Sequence, residues 1–151
     1  MRMRQGNVYV VDTSVLIDYP DIFYTLGNNQ IVVPTAVIRE LDGIKRNPDP
    51  NERKAKSARK VSRTLDQLGR RQDIAKGARI VTGGIVRIYN RHVSIDDLAS
   101  AADNRIVGAA LKLIDESKAN MVTLLSGDAN MRNIARSYGI KAEGYPFRRD
   151  T

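Results

Sequence analysis

Four carboxylates stand out in this chain because of what surrounds them. Asp12 directly follows the apolar run Val8 to Val11, and Asp128 follows a second such run, MVTLLS. Glu40 lies inside a helical segment after the run QIVVP, and Asp103 opens a helical pattern ahead of MVTLLS. Taken singly, Asp12 and Asp128 read as turn or capping acids, Asp103 as a favourable charge at a helix N-terminus and Glu40 as a solvated helix residue. Taken together they raise a different possibility. Carboxylates gathered at one place repel one another, so a cluster persists only with a cation or with raised pKa values. The matching cation is hard and oxygen-loving, Mg²⁺ or Mn²⁺, with water and phosphate oxygens completing its shell. Such an ion lowers the pKa of bound water, orients it for in-line attack on phosphorus and neutralises the leaving oxygen.

Composition closes off other chemistries. The chain has 151 residues and no Cys, which removes disulfides, thiolate nucleophiles and cysteine zinc sites, and its single His92 cannot supply a histidine pair. Its 25 Lys+Arg against 17 Asp+Glu leave a net charge of +8, which favours a polyanionic partner, nucleic acid first. There is no apolar run of membrane-spanning length, and MRMRQG leads into a strand-like segment instead of a signal peptide, so a cytoplasmic protein without a membrane partner is expected.

The elements that must position the acids follow from periodicity. Val8–Val11 and QIVVP are β-branched runs with the look of strands buried on both faces, as in a parallel sheet. A helix is expected from Thr13 to Ile17, a turn at Gly27–Asn29, and a second helix with Pro34 in its first turn, Val37 and Leu41 inward, running to about Gly43. The two prolines of NPDPNE break the chain, with Asn51 as the expected cap of a helix over Glu52–Gly69. That helix sets Ala58, Val61, Leu65 and Leu68 against a basic back of Lys56, Arg59, Lys60 and Arg63. KGARIVTGGIVRIYN reads as short strands around Gly83-Gly84. From Ser100 a helix faces Ile106, Ala109, Ala110, Leu113 and Ile114 inward; NMVTLLS, Asn120 to Ser126, is a strand; the last helix points Met131, Ile134 and Ala135 inward and stops at Gly139; IKAEGYP adds a strand. Strands alternating with helices predict a single domain over 1–151 of α/β class, a three-layer α/β/α arrangement around a mainly parallel sheet. The crevice beyond the carboxyl ends of such strands is where ligands bind.

With the acids and elements in this order, the segments VVDTSVLID, VVPTAVIRELD, ADNRIVGAAL and LLSGDANMRNIA resemble the acidic motifs of PIN domains, metal-dependent ribonucleases of toxin–antitoxin systems and RNA processing. DYPDIF, RELDGIK and GGIVRIYN are similar to the PIN domain that precedes the ATPase in some PhoH-type proteins, and the resemblance runs from Asn7 to Tyr145. It implies that Asp12, Glu40, Asp103 and Asp128 are the catalytic acids that bind Mg²⁺ or Mn²⁺. It implies that Ser14 steadies the first acid and that Thr13, Ser126 and Asn130 are flanking polar groups. Asp18, Asp42, Asp96 and Asp97 read as surface or capping residues. The chain contains no G-x-x-x-x-G-K-[ST] loop, so the ATPase of PhoH-type proteins is not within it.

The densest positive region spans Lys45, Arg46, Arg53, Lys54, Lys56, Arg59, Lys60, Arg63, Arg70 and Arg71. It reads either as a solvated helix face or as an RNA contact, and beside carboxylates the second gains, because a phosphodiester needs compensating positive charge to approach them. Lys45, Arg46, Lys56, Arg59, Lys60 and Arg63 are the expected RNA-binding residues, and single-stranded RNA is the expected substrate. Tyr19, Phe23 and Tyr24 offer rings for stacking, with core packing as the default. The resemblance extends to a homodimer and to an antitoxin or ATPase partner. Two other readings stay open: a non-catalytic RNA-binding module, and a phosphatase with an Asp nucleophile, for which Ser14 stands where a second acid is usual.

Overall fold

The computed structural model describes residues 6–49, 51–117 and 121–147. Six strands and five α-helices follow one another as β1 (Val8–Val11), α1 (Thr13–Asp18), β2 (Gln30–Pro34), α2 (Thr35–Lys45), α3 (Arg53–Arg71), β3 (Ala78–Arg79), β4 (Ile85–Tyr89), α4 (Ala101–Glu116), β5 (Val122–Leu125), α5 (Ala129–Ser137) and β6 (Lys141–Glu143). The strands form one sheet in the order β3-β4-β2-β1-β5-β6. Only β3 runs antiparallel, pairing Ala78 with Val86. The fold is thus the expected α/β class with a mostly parallel central sheet.

Burial explains why the strands read as continuous apolar runs. Every residue of β1 and β5 is buried, and Ile31, Val32 and Val33 of β2 are within 1% of full burial, so both faces of the sheet are covered. Helices α1 and α2 pack on α3, while α4 packs on β1, β2, β5 and α5. The chain moves from β1 to β2 and β4 on one side, then crosses to β5 and β6 on the other. The reversal between β1 and β5 is the topological switch point, where open parallel sheets leave a crevice beyond their carboxyl ends.

Several local expectations are corrected. Pro34 ends β2, paired with Tyr89, and its extended backbone precedes α2 instead of opening it. That helix passes Gly43 to Lys45, with Asp42 paired to Lys45 and Arg46 along its last turn. The α3 cap is Glu52, not Asn51, because the Glu52 carboxylate accepts the Ala55 amide at 3.0 Å. Pro50 of that break lies outside the described residues, as do Asn120 and its two predecessors. Ile114 is 40% exposed, on the outer side of α4, and Ile134 is only half-buried.

Gly108 shows how closely α4 meets the segment after β4. The Val93 amide donates to the Gly108 carbonyl at 2.9 Å, and a Cβ built on Gly108 would lie 2.0 Å from the Val93 carbonyl oxygen. Gly43, by contrast, has open space where a Cβ would go. Gly108→Ala is therefore expected to destabilise by about 1–3 kcal/mol, and Gly43→Ala to stabilise by about 0.4–1 kcal/mol through the unfolded chain. Urea unfolding of the two variants measures both, and shifts of the same sign would contradict the packing described.

Candidate active site

The two acids that follow strands are held by the helices they start. Asp12 caps α1: its Oδ1 accepts the Val15 amide at 2.9 Å and the Ser14 hydroxyl at 2.8 Å. Asp128 caps α5, its Oδ1 accepting the Asn130 amide at 2.9 Å. The Val15 and Asn130 amides are helix-end donors satisfied by these caps, bonds of a kind that stabilise by about 0.5–2 kcal/mol. The capping account is therefore correct for both residues, and it fixes their position without preventing another use of the carboxylates.

Two hydroxyls tie the neighbouring segments together. Thr13 Oγ1 donates to Glu40 Oε1 at 2.5 Å, linking α1 to α2. Ser14 Oγ, while donating to Asp12, accepts the Gly127 amide at 3.3 Å, linking α1 to the turn before Asp128. Ser126 is fully buried; its hydroxyl accepts the Asp128 amide at 3.0 Å and lies 3.4 Å from the Met131 sulfur. Asn130 is exposed and touches Asp128 through its backbone. Asp103 enters from the first turn of α4, where the Ser100 hydroxyl accepts its amide.

The result is one pocket of about 330 Å³ lined by Asp12, Glu40, Asp103 and Asp128, with Thr13, Ser14, Asp18 and Lys54 at its walls. Asp12 is 4% exposed. Burial is the main force raising its pKa above 3.8; the Ser126 hydroxyl, the Val15 amide and the Ser14 hydroxyl act against it, and the Asp128 charge adds to the rise. Asp103 is raised as well, by partial burial first and then by the charges of Glu40, Asp12 and Asp128. The four acids thus share one pocket, and three of them act on the fourth. Among the described residues, however, no three His, Asp or Glu side chains stand close enough to enclose an ion as they are placed.

The other acids have partners of their own. Asp18 meets Arg53 at 3.4 Å on the pocket rim, Asp42 is engaged by Lys45 and Arg46, and Asp97 accepts from the Tyr138 hydroxyl. Among the basic residues expected to meet RNA, Lys45 and Arg46 are thus taken up by Asp42, and Lys60 by Asp21 at 2.8 Å. Lys56 and Arg63 are exposed on α3 and Arg59 is half-buried. Lys54, two positions before Lys56, is the cation among the residues that line the acid pocket. Phe23 is a core residue, while Tyr19 packs edge-on against Tyr145 and Tyr24 is 47% exposed.

Sequence reasoning missed a second pocket beside the first. Arg39, Arg91, His92 and Arg105 line it, together with Asn90 and Tyr89. The available signal was adjacency: Arg39 precedes Glu40 and Arg105 follows Asp103 by two, although Arg91 and His92 join them only through the fold.

Comparison with known proteins agrees with this architecture. Residues 9–146 match the family model described as PIN domain. The chain is 34% identical over 149 residues to Protein PhoH2 of Bacillus subtilis and 31% identical over 146 residues to Protein PhoH2 of Thermobispora bispora, in each case over 93% of this chain. It spans about a third of the length of those relatives (33% and 32%). A solved domain of a functionally unknown protein from Methanocaldococcus jannaschii has the same fold, with a TM-score of 0.57 at 17% identity over 97% of this chain and 96% of that one. So does a PilT N-terminus domain protein from Sulfolobus solfataricus, with a TM-score of 0.55 at 15% identity over 95% of this chain and 98% of that one. With the family model covering nearly the whole chain and the curated relatives carrying the PhoH2 name, this chain belongs to the PIN domain family and is similar to the PIN domain of PhoH-type proteins.

Proposed function

We propose that this chain is a divalent-metal-dependent endoribonuclease that hydrolyses phosphodiester bonds of single-stranded RNA, with Asp12, Glu40, Asp103 and Asp128 as its catalytic acids. The observation that carries the reading is one pocket at the sheet's switch point lined by all four. Their chemistry suits Mg²⁺ or Mn²⁺: an all-oxygen donor set in which burial and like charge already work against ionisation of Asp12 and Asp103. Mg²⁺ commonly takes one or two carboxylates and completes its shell with water and substrate phosphate, so three converging acids are not required beforehand. When bound, the ion supplies an activated water and charge neutralisation at the phosphate.

The chain's own residues do the rest. Asp12 and Asp128 offer carboxylates anchored at one oxygen by their caps. Thr13 orients Glu40, Ser14 orients Asp12, and Ser126 holds the turn on which Asp128 stands. The charges of the other three acids all act on Asp103, which a cation would relieve. Lys54 offers positive charge at the rim for an incoming strand. RNA is preferred as the polyanion because the family is one of nucleases and the chain carries +8. A homodimer, and an antitoxin or ATPase partner, remain part of the proposal by resemblance to the family.

Purified protein is expected to cut a single-stranded RNA in Mn²⁺ or Mg²⁺ and to stop on chelation, leaving 5′-phosphate and 3′-hydroxyl ends. Asp12→Asn keeps a capping oxygen but loses the charge, and it should lower the rate by about 10²-fold or more while the fold survives. Cutting that persists in EDTA would remove the metal from the mechanism. Binding without cutting under every divalent ion would favour the silent RNA-binding reading, and turnover of a phosphomonoester the phosphatase.

A second expectation concerns stability. Asp12 and Asp103 have raised pKa values in the folded protein, so folding favours their protonated forms. Their unfavourable contribution is therefore absent below the unfolded value near 3.8, grows as pH rises from there, and is complete once pH has passed through the folded values. In EDTA, thermal melting should show less of this penalty on the acid side of the folded values, with Asp103→Asn flattening the dependence. At neutral pH, Mn²⁺ should raise the melting temperature of the native sequence and do so less in Asp103→Asn. Equal Mn²⁺ shifts in both proteins would separate Asp103 from the ion.

A further inference from the structure

A second pocket is built from other faces of the same two helices. Residues next to each other on a helix are separated by about 100° around its axis and 1.5 Å along it. On α2, Glu40 lines the acid pocket and Arg39 lines its neighbour; on α4, Asp103 lines the first and Arg105 the second. The segment after β4 closes the neighbour with Asn90, Arg91 and His92, held against α4 by the bond between Val93 and Gly108. Acid and base are thus sorted along one edge of the sheet.

The basic pocket is itself electrostatically incomplete. Three guanidinium groups line it and no carboxylate is among the lining residues. Arg91 is paired with Glu116 at 2.9 Å, whereas Arg39 and Arg105 form no ion pair among the described residues. Tyr89, also lining the pocket, is 3% exposed, and its hydroxyl is the buried side-chain polar atom with no hydrogen-bond partner among the described residues. Burial raises that hydroxyl's pKa, and the Glu116 carboxylate raises it further. Two guanidinium groups without an ion pair, beside a third, point to a missing anion.

Size narrows what the anion is. The pocket is about 180 Å³, below the roughly 300–1,000 Å³ of sites that enclose a small organic ligand. It suits a single phosphate group better than a whole nucleotide. Guanidinium groups are the side chains that bind phosphate oxygens through paired hydrogen bonds. We propose that Arg39, Arg91 and Arg105 form a subsite for a backbone phosphate of the RNA strand, away from the bond cut in the acid pocket. This rests on the nuclease reading above and supplies what that reading lacks: α3 spends part of its basic face on internal ion pairs, whereas this pocket draws its arginines from α2 and α4, the helices that also carry Glu40 and Asp103, and from the segment after β4.

The test is fluorescence anisotropy of a labelled uridine decamer with the full chain in EDTA, where nothing is cut. Arg39→Gln/Arg105→Gln should weaken binding by roughly tenfold and lower the salt slope by about 1.4, two contacts at about 0.7 each. A control, Arg79→Gln/Lys141→Gln, removes the same charge from the opposite edge of the sheet, since Arg79 pairs with the first residue of β4 and Lys141 begins β6. It should change binding far less. Arg39→Lys/Arg105→Lys keeps the charge and should keep most of the salt slope while losing affinity. Equal losses in the control and the test variant would overturn the subsite, as would a loss confined to decamers carrying a 5′-phosphate, since the group assigned is internal. If binding falls as expected but no divalent ion supports cutting, the nuclease reading fails and the anion site stands. If metal-dependent cutting is found but the test variant binds like the control, the subsite fails and the nuclease reading stands.

Discussion

The structure turns on like charge brought together. Four carboxylates share a pocket at the sheet's switch point, and the fold holds them there with local hydrogen bonds, not with opposite charge alone. Asp12 and Asp128 are anchored by backbone amides at the starts of α1 and α5, and Thr13 and Ser14 fasten the adjoining helix and turn. These bonds are individually modest, about 1 kcal/mol net, but they decide where the acids stand. Burial of Asp12 then makes its ionisation dearer than on the surface, which is the electrostatic condition that a cation relieves.

A capping acid and a functional acid are often treated as rival descriptions. Here one carboxylate fills the first role by contact and is a candidate for the second by position. A cap locates the side chain to within a rotamer, and a parallel strand delivers that cap to the crevice. Ser14 shows the economy of the arrangement, since one hydroxyl orients Asp12 and accepts an amide from the turn before Asp128.

How much of this was legible in the sequence follows from range. Strands buried on both faces leave unbroken β-branched runs, so β1, β2 and β5 were readable from a few residues each, and the acids that follow β1 and β5 came with them. Helix interiors were also clear, because Ala58, Val61 and Leu65 repeat along one face. Helix ends were less so: Asn51 and Glu52 are adjacent capping candidates, and the choice depends on which oxygen reaches Ala55. Ion pairing was not readable at all. Lys60 meets Asp21 across 39 positions, and Arg91 meets Glu116 across 25. The basic pocket was hidden for the same reason, since its lining comes from α2, α4 and the segment after β4.

The place of β1 in the sheet has one more consequence. It lies between β2 and β5, hydrogen-bonded on both sides, and the ladder continues past its end with the Asp12 amide bonded to Leu125. The margins are the two-residue β3 and the three-residue β6. Local opening begins at such margins and reaches a central strand only with global unfolding. Amide protons leading into Asp12 are therefore expected to exchange slowly, and fraying at either margin leaves the strand that carries Asp12 paired on both sides.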